Sequence, residues 1–223
     1  MLERYQQVEL LERIARVLRD CHEPWRYMPW MRGDAYHPVE EDGAGSQLIR
    51  PEGSTGEVLL CAHTDVHPDG IGYDDSIGVA MALEVVGAPD LRGGWPWVLL
   101  TTDGSGVRQA MVDFDLSSVK ACLVLDRMGG FEFADRIMGE RLCSEDFARS
   151  IVYFLRQVTG NMWDRVDGQF SDAYILSNLA PTINLGIGVH EKQGPSETFV
   201  PRETFAAYEG LLGLLERREE WLP

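Results

Sequence analysis

The residues best suited to chemistry lie in one segment, CAHTDVHPDGIGYDDSIGVAMALE, at 61–84. An apolar run, EVLLCA, delivers His63 to the C-terminal end of a predicted strand, the edge at which α/β sheets place their ligands. Asp65 follows two residues later, so its carboxylate can hydrogen-bond the imidazole and fix the tautomer that a metal-bound histidine requires. Asp74 and Asp75 open a predicted helix, where the N-terminal dipole favours an anion. Each half alone is commonplace: H-x-D arises by chance, and a D-D pair ahead of a helix is often only an N-cap. Joined, after an apolar strand and before a glycine-containing helix, they specify far more.

The elements that must position these side chains are legible in the apolar pattern. Residues 2–19 form a helix with Leu2, Tyr5, Leu10, Leu11, Ile14, Val17 and Leu18 largely on one face. A stretch rich in Pro, Gly and Trp follows, in which Trp25, Tyr27, Trp30 and Tyr36 either cover the core or line a pocket. SQLIR and EVLLCAH flank PEGSTG and read as a hairpin. DDSIGVAMALEVVG, at 74–87, is a helix begun by acid and ended by glycine. WPWVLLTT and VKACLVLD are short continuous apolar runs, as found in strands buried on both faces. FEFAD is a further strand, SEDFARSIVYFLRQVTG a helix with a serine start, APTINLGI a strand, and PRETFAAYEGLLGLLERREEW a last amphipathic helix. Strands alternating with helices imply an α/β layered domain. No interdomain linker, repeat or low-complexity tract interrupts the 223 residues, so one domain, 1–223, is expected.

Composition narrows the partners. The net charge of −16 repels phosphate backbones, which argues against nucleic acid, and favours cationic ligands or metal ions; solubility alone is the plainer account of it. No apolar run reaches the roughly 18–20 residues needed to span a bilayer, and the N-terminus lacks the layout of a signal peptide, so no membrane role and a cytoplasmic location are expected. The cysteines Cys21, Cys61, Cys122 and Cys143 are widely spaced without a C-x-x-C pair; Cys61 and Cys122 sit in strand-like runs as small buried hydrophobes. A disulfide framework is not expected.

HTDVHPDG followed by GYDDSIGVA resembles the co-catalytic zinc exopeptidases, the aminopeptidases, carboxypeptidases, tripeptidases and deacylases, whose pattern is a strand, H-x-D-x-x-P, then G-x-D-D before a helix. LVLDRMGG is similar to their later strand ending in a metal-binding Asp, and GQFSDAYILSNLAPTINLGIGVHEKQGPSETFV to their terminal stretch. The resemblance spans residues of about 45–215. It implies a three-layer α/β domain with a central mixed, largely parallel sheet flanked by helices. It also implies that His63 binds one metal, Asp74 bridges two, Asp126 binds the same metal as His63, and Asp65 orients His63 as the catalytic second carboxylate. Relatives often insert a lid or dimerisation domain; here only about 45 residues separate Asp126 from Asp172, so a form without a lid is implied.

Other positions depart from that pattern. Where the family carries adjacent glutamates, a general base and a metal ligand, this chain has Gly104 and Ser105; where it carries its last histidine, this chain has Gln193. Ser and Gln are poor zinc ligands, and Gly104 cannot move a proton. His190, three residues before Gln193, is a candidate replacement ligand, and Asp103 or Glu191 a candidate base. His67 reads as a loop residue near the site, and His22 and His37 as structural or exposed. Asp172 matches the family's usual Asp at the start of a helix, with helix capping the favoured reading of it, and Arg127 reads as neutralising crowded acids or binding a substrate carboxylate. The losses fall together on one metal and the base. The expected function is therefore a degenerate, pseudoenzyme or binding form of the fold with at most one zinc site. The alternative is an active metal-dependent hydrolase of small peptides or acylated amino acids, with one metal or a rearranged pair. Nothing in the sequence specifies an oligomeric interface, although Trp95 and Trp97 near a sheet suit one.

Overall fold

The computed structural model describes residues 4–20, 38–64, 72–87, 91, 94–102, 106–191 and 194–223. Asp65, His67, Asp103, Gly104, Ser105 and Gln193, the aromatic stretch around Trp25 to Tyr36, and His22 and His37 lie outside the described residues.

The strands are β1 (Val39–Glu41), β2 (Gln47–Ile49), β3 (Val58–His63), β4 (Trp97–Thr101), β5 (Ala121–Met128), β6 (Glu132–Ile137), β7 (Glu140–Arg141), β8 (Asp164–Gly168), β9 (Thr182–His190) and β10 (Thr198–Phe199). The helices are α1 (Arg4–Asp20), α2 (Tyr73–Gly87), α3 (Gly106–Asp113), α4 (Glu145–Thr159), α5 (Asp172–Leu176) and α6 (Pro201–Glu216), followed by a short 3-10 turn at Arg218–Glu220. One mixed sheet runs β1-β2-β4-β3-β5-β9-β6-β7, with β10 beside β9 and β8 beside β6. Its centre is parallel, β4 on β3, β3 on β5 and β5 on β9, and its flanks are mostly antiparallel.

The continuous apolar runs of the central strands are explained by burial on both faces. Leu60, Ala62, Leu123 and Leu125 point into a core shared with α1, α2, α4 and α6. Leu59, Cys61, Cys122 and Val124 point to the other face, into a core shared with α3 and α5. The period-2 alternation thus splits each strand between two cores and makes three layers.

Helix α4 follows the sequence closely: the Ser144 hydroxyl accepts from the Phe147 N–H, and Gly160 ends the helix with a left-handed φ of 66°. Two expectations are corrected. QLI does not form a hairpin with β3: it pairs antiparallel with β4, which lies between them, because β4 meets β3 in parallel and leaves only its other edge to β2. The stripe of α1 is also narrower than expected, since Leu10 and Ile14 are buried whereas Tyr5 and Leu11 face outward. Trp97 is not a free surface: its ring packs into the core beside α3, its indole N–H donates to the Ser54 hydroxyl at 2.9 Å, and Arg50 lies over it.

Helix α2 lies so close to the sheet that a Cβ on Gly78 would fall well inside contact distance of the Leu125 backbone carbonyl. Backbone cannot yield as a flexible side chain can. Gly78→Ala gains about 1 kcal/mol of helix propensity but overpacks the α2–β5 contact, at about 1–3 kcal/mol. The expected outcome is net destabilisation, read as a lower urea midpoint with an unchanged slope.

Candidate metal centre

The site begins with strand register. His63 stands opposite Thr101 across the β3–β4 pair, and Cys61 stands opposite Val124 across β3–β5. His63 and Asp126 lie two residues beyond Cys61 and Val124 on these neighbouring strands, and Asp126 is close enough to Cys61 to act on its thiol electrostatically. Thr101, His63 and Asp126 therefore line one rim of three adjacent strands. The rim is tied shut at β3–β4, where both the N–H and the hydroxyl of Thr64 donate to the Thr101 carbonyl, at 2.8 and 3.0 Å.

Under this rim lies α5. Asp172 is its first residue, but the cap is Ser171, whose hydroxyl accepts from the Ala173 N–H. Asp172 is thereby released from capping, which corrects the sequence reading. Its side chain, 1% exposed, turns into the rim instead: Oδ2 accepts from the Thr101 hydroxyl at 3.0 Å and approaches His63 Nε2 at 3.2 Å. Its other oxygen, Oδ1, is buried and accepts no hydrogen bond from the described residues. Cys61 lies beneath, its sulfur 4.0 Å from the same carboxylate. Burial, reinforced by the neighbouring Asp172, Cys122 and Asp126, pushes the Cys61 thiol well above its usual range, so it is a protonated hydrophobe and not a nucleophile.

The second half of the site is the start of α2. Gly72 adopts φ 87°, a conformation that side chains rarely take, and turns the chain into Tyr73 and Asp74. Its N–H donates at 2.9 Å to the carboxylate of Glu197, which is buried. Glu197 is the acid of the QGPSE stretch, so the segment after β9 clamps the helix that carries Asp74. Asp74 is the second residue of α2; its carboxylate lies outside the described atoms, while the adjacent Asp75 is buried.

Of the predicted residues, then, His63 and Asp126 share the rim, Asp74 heads the helix that follows it, and Asp65 lies outside the described residues. Sequence reasoning missed Glu197, and singled out Asp172 but favoured a capping role for it. The signal against capping by Asp172 was the Ser-Asp pair, in which only one residue can cap. His190 does not stand free to replace a ligand: its Nε2 lies 2.7 Å from Glu203 of α6. Arg127 pairs with Glu132 at 2.9 Å. Among the described residues, no three His, Cys, Asp or Glu side chains are grouped closely enough to hold a metal ion.

The donor types present nonetheless suit zinc: an imidazole backed by a buried carboxylate, with Asp126 on the neighbouring strand. The partnerless, buried Oδ1 of Asp172 is an acceptor whose desolvation a nearby cation would offset.

No family model and no curated protein matches the sequence. Solved structures do match in fold. Aminopeptidase PepT of Bacillus cereus superposes with a TM-score of 0.75 at 12% identity, over 94% of this chain and 98% of that one. The Bacillus subtilis YXEP protein, described as a dinuclear metal-binding peptidase, gives 0.71 at 7% identity, over 99% and 100%. A glutaminyl cyclase of Porphyromonas gingivalis gives 0.64 at 15% identity, over 95% and 98%. The chain has the zinc exopeptidase fold, and that fold carries both hydrolases and a cyclase, so chemistry must be argued from the site.

Thr101 anchors the site, because its hydroxyl is a donor to Asp172 in a fully buried position. Thr101→Val keeps the shape and removes a hydrogen bond to a charged group, at about 1.5–3 kcal/mol. Thr102→Val, at a partly exposed neighbour, should stay within about 0.5 kcal/mol of wild type. Urea unfolding of the two variants separates the outcomes.

Proposed function

We propose that this chain is a binding protein on the zinc exopeptidase fold, holding at most one metal ion through His63, Asp74 and Asp126, and without peptidase turnover. The reading includes a single domain without an inserted lid, since β6, β7, α4 and β8 occupy the chain between Asp126 and Asp172. No described helix is long and apolar enough to cross a membrane.

The observation that carries the proposal is an asymmetry at one rim. On one side, His63 at the end of β3 meets the buried Asp172, and Asp126 lies on the neighbouring parallel strand β5, which supports the reading. On the other, the sequence carries Gly104, Ser105 and Gln193 at the positions that match the family's base and second-metal ligands. A glycine offers no proton acceptor, and neutral Ser and Gln do not replace carboxylate and imidazole at a second zinc. A general base typically supplies about 10²–10⁴ in rate, so its loss alone removes most turnover.

In this reading Asp172 holds the imidazole of His63 in place, Thr101 holds Asp172, and Glu197 fixes the entry of α2, the helix that carries Asp74. A zinc ion bound there would supply Lewis acidity to a ligand's carbonyl or carboxylate. The fold's peptidase neighbours support small peptides as the ligand class, with acylated amino acids as the second candidate.

Metal analysis of protein purified without chelator should find no more than one zinc per chain, lost in His63→Ala. A panel of aminopeptidase and deacylase substrates should show no turnover. Combining Gly104→Glu, Ser105→Glu and Gln193→His should create binding of a second metal. Turnover by the natural chain that His63→Ala abolishes would instead establish an active hydrolase.

A further inference from the structure

Two strands of the sheet pair on one side only among the described residues, β1 at one end and β8 at the other. Such an edge presents unpaired N–H and C=O groups and is a template for another strand. At β1 the side chains oppose self-pairing. A second copy of Val39–Glu41 laid antiparallel on the first sets Glu40 against Glu40, and like charges directly opposite repel.

The edge at β8 has the reverse character. The irregularity in its pairing lies on β6, between Ala134 and Arg136, so β8 itself runs evenly. The Asp164 N–H donates to the Phe131 carbonyl, and the Gly168 carbonyl accepts from the Met138 N–H, so the even-numbered residues turn their backbone inward. By alternation, the N–H and C=O of Arg165 and Asp167 point off the sheet. A copy laid antiparallel about Val166 therefore exchanges backbone hydrogen bonds between Arg165 of one chain and Asp167 of the other, twice over. The same register sets their opposite charges face to face. Arg165 is already fixed by Asp135 and Glu145, so little side-chain entropy is lost in the pairing. Asp164 faces Gly168, which has no side chain to oppose it, and Val166 faces Val166.

Carried outward at the same spacing, this register sets Met162 against Phe170. Met162 is 71% exposed and Phe170 57% exposed, at mirror positions about Val166. Thioether and ring suit each other, and each covers the other. Met138, 78% exposed and bonded through its N–H to Gly168, adds apolar surface at the Phe170 end. An unrelated extended peptide would gain the backbone bonds without these matches, so the occupant that fits is a second copy of the chain.

We propose that the chain forms a two-fold dimer through β8, with the two strands antiparallel about Val166 and the two sheets joined into one. The net charge of −16 on each chain opposes long-range approach, but in about 0.15 M salt that field is screened beyond about 8 Å. The contact uses none of His63, Asp74 and Asp126.

Sedimentation equilibrium of the full chain, with chelator present, tests it. Between about 1 and 100 µM, the range of a small interface, the mass should rise from one chain towards two. Asp167→Arg sets arginine against Arg165 at both pairs and should weaken association at least about tenfold. Cysteine variants at two exposed positions read the register even if Asp167→Arg also disturbs its contact with Gly139. Met162→Cys chains mixed with Phe170→Cys chains should form disulfide-linked pairs beyond the level of wild type. Neither variant should do so alone, because the two copies of position 162 lie about 25 Å apart along the strands. A mass of one chain throughout, a dimer that Asp167→Arg leaves at full strength, or no gain in cross-linking on mixing overturns the proposal.

Discussion

The site depends on one buried contact, the Asp172 carboxylate placed between the Thr101 hydroxyl and the His63 ring. It joins the ends of two central strands to the first turn of α5, and so fixes the imidazole against the sheet. The contact is possible because parallel register sets Thr101 opposite His63, and because Ser171 takes over the capping of α5. Move either strand by one residue and the side chains leave that face.

A buried carboxylate is costly unless its charge is answered. Asp172 has a hydroxyl and an imidazole on one oxygen and no described partner on the other, while Asp126 on β5, Asp75 at the start of α2 and Glu197 after β9 are buried as well. In a chain of net charge −16, such carboxylates at one end of the sheet favour cations over anions. The metal reading is a consequence of this one electrostatic situation.

The sequence was most legible where structure is local or strongly periodic. The buried strands β3, β4, β5 and β9 announce themselves as apolar runs, and α4 by its serine start and glycine stop. Nonlocal pairing was not legible: QLI lies next to β3 in the chain yet pairs with β4, which arrives some fifty residues later. Helix α3 begins at Gly106 without an acidic first turn, and β8 is DRVDG, polar and without a buried face, so neither carries the usual pattern. In the site, His63 and Asp126 could be placed from motif and strand ends, because each closes an apolar run. Glu197 could not be, since its partner Gly72 is 125 residues away in sequence. Asp172 was hidden by the ambiguity of two adjacent capping residues.

The most direct test of the central claim is a crystal of the natural chain equilibrated with zinc and measured across the zinc absorption edge. One anomalous peak bonded to His63 and Asp126, with Asp172 still on the imidazole, is the predicted result. Two peaks at the rim, or a zinc bound elsewhere with His63 unligated, would contradict it.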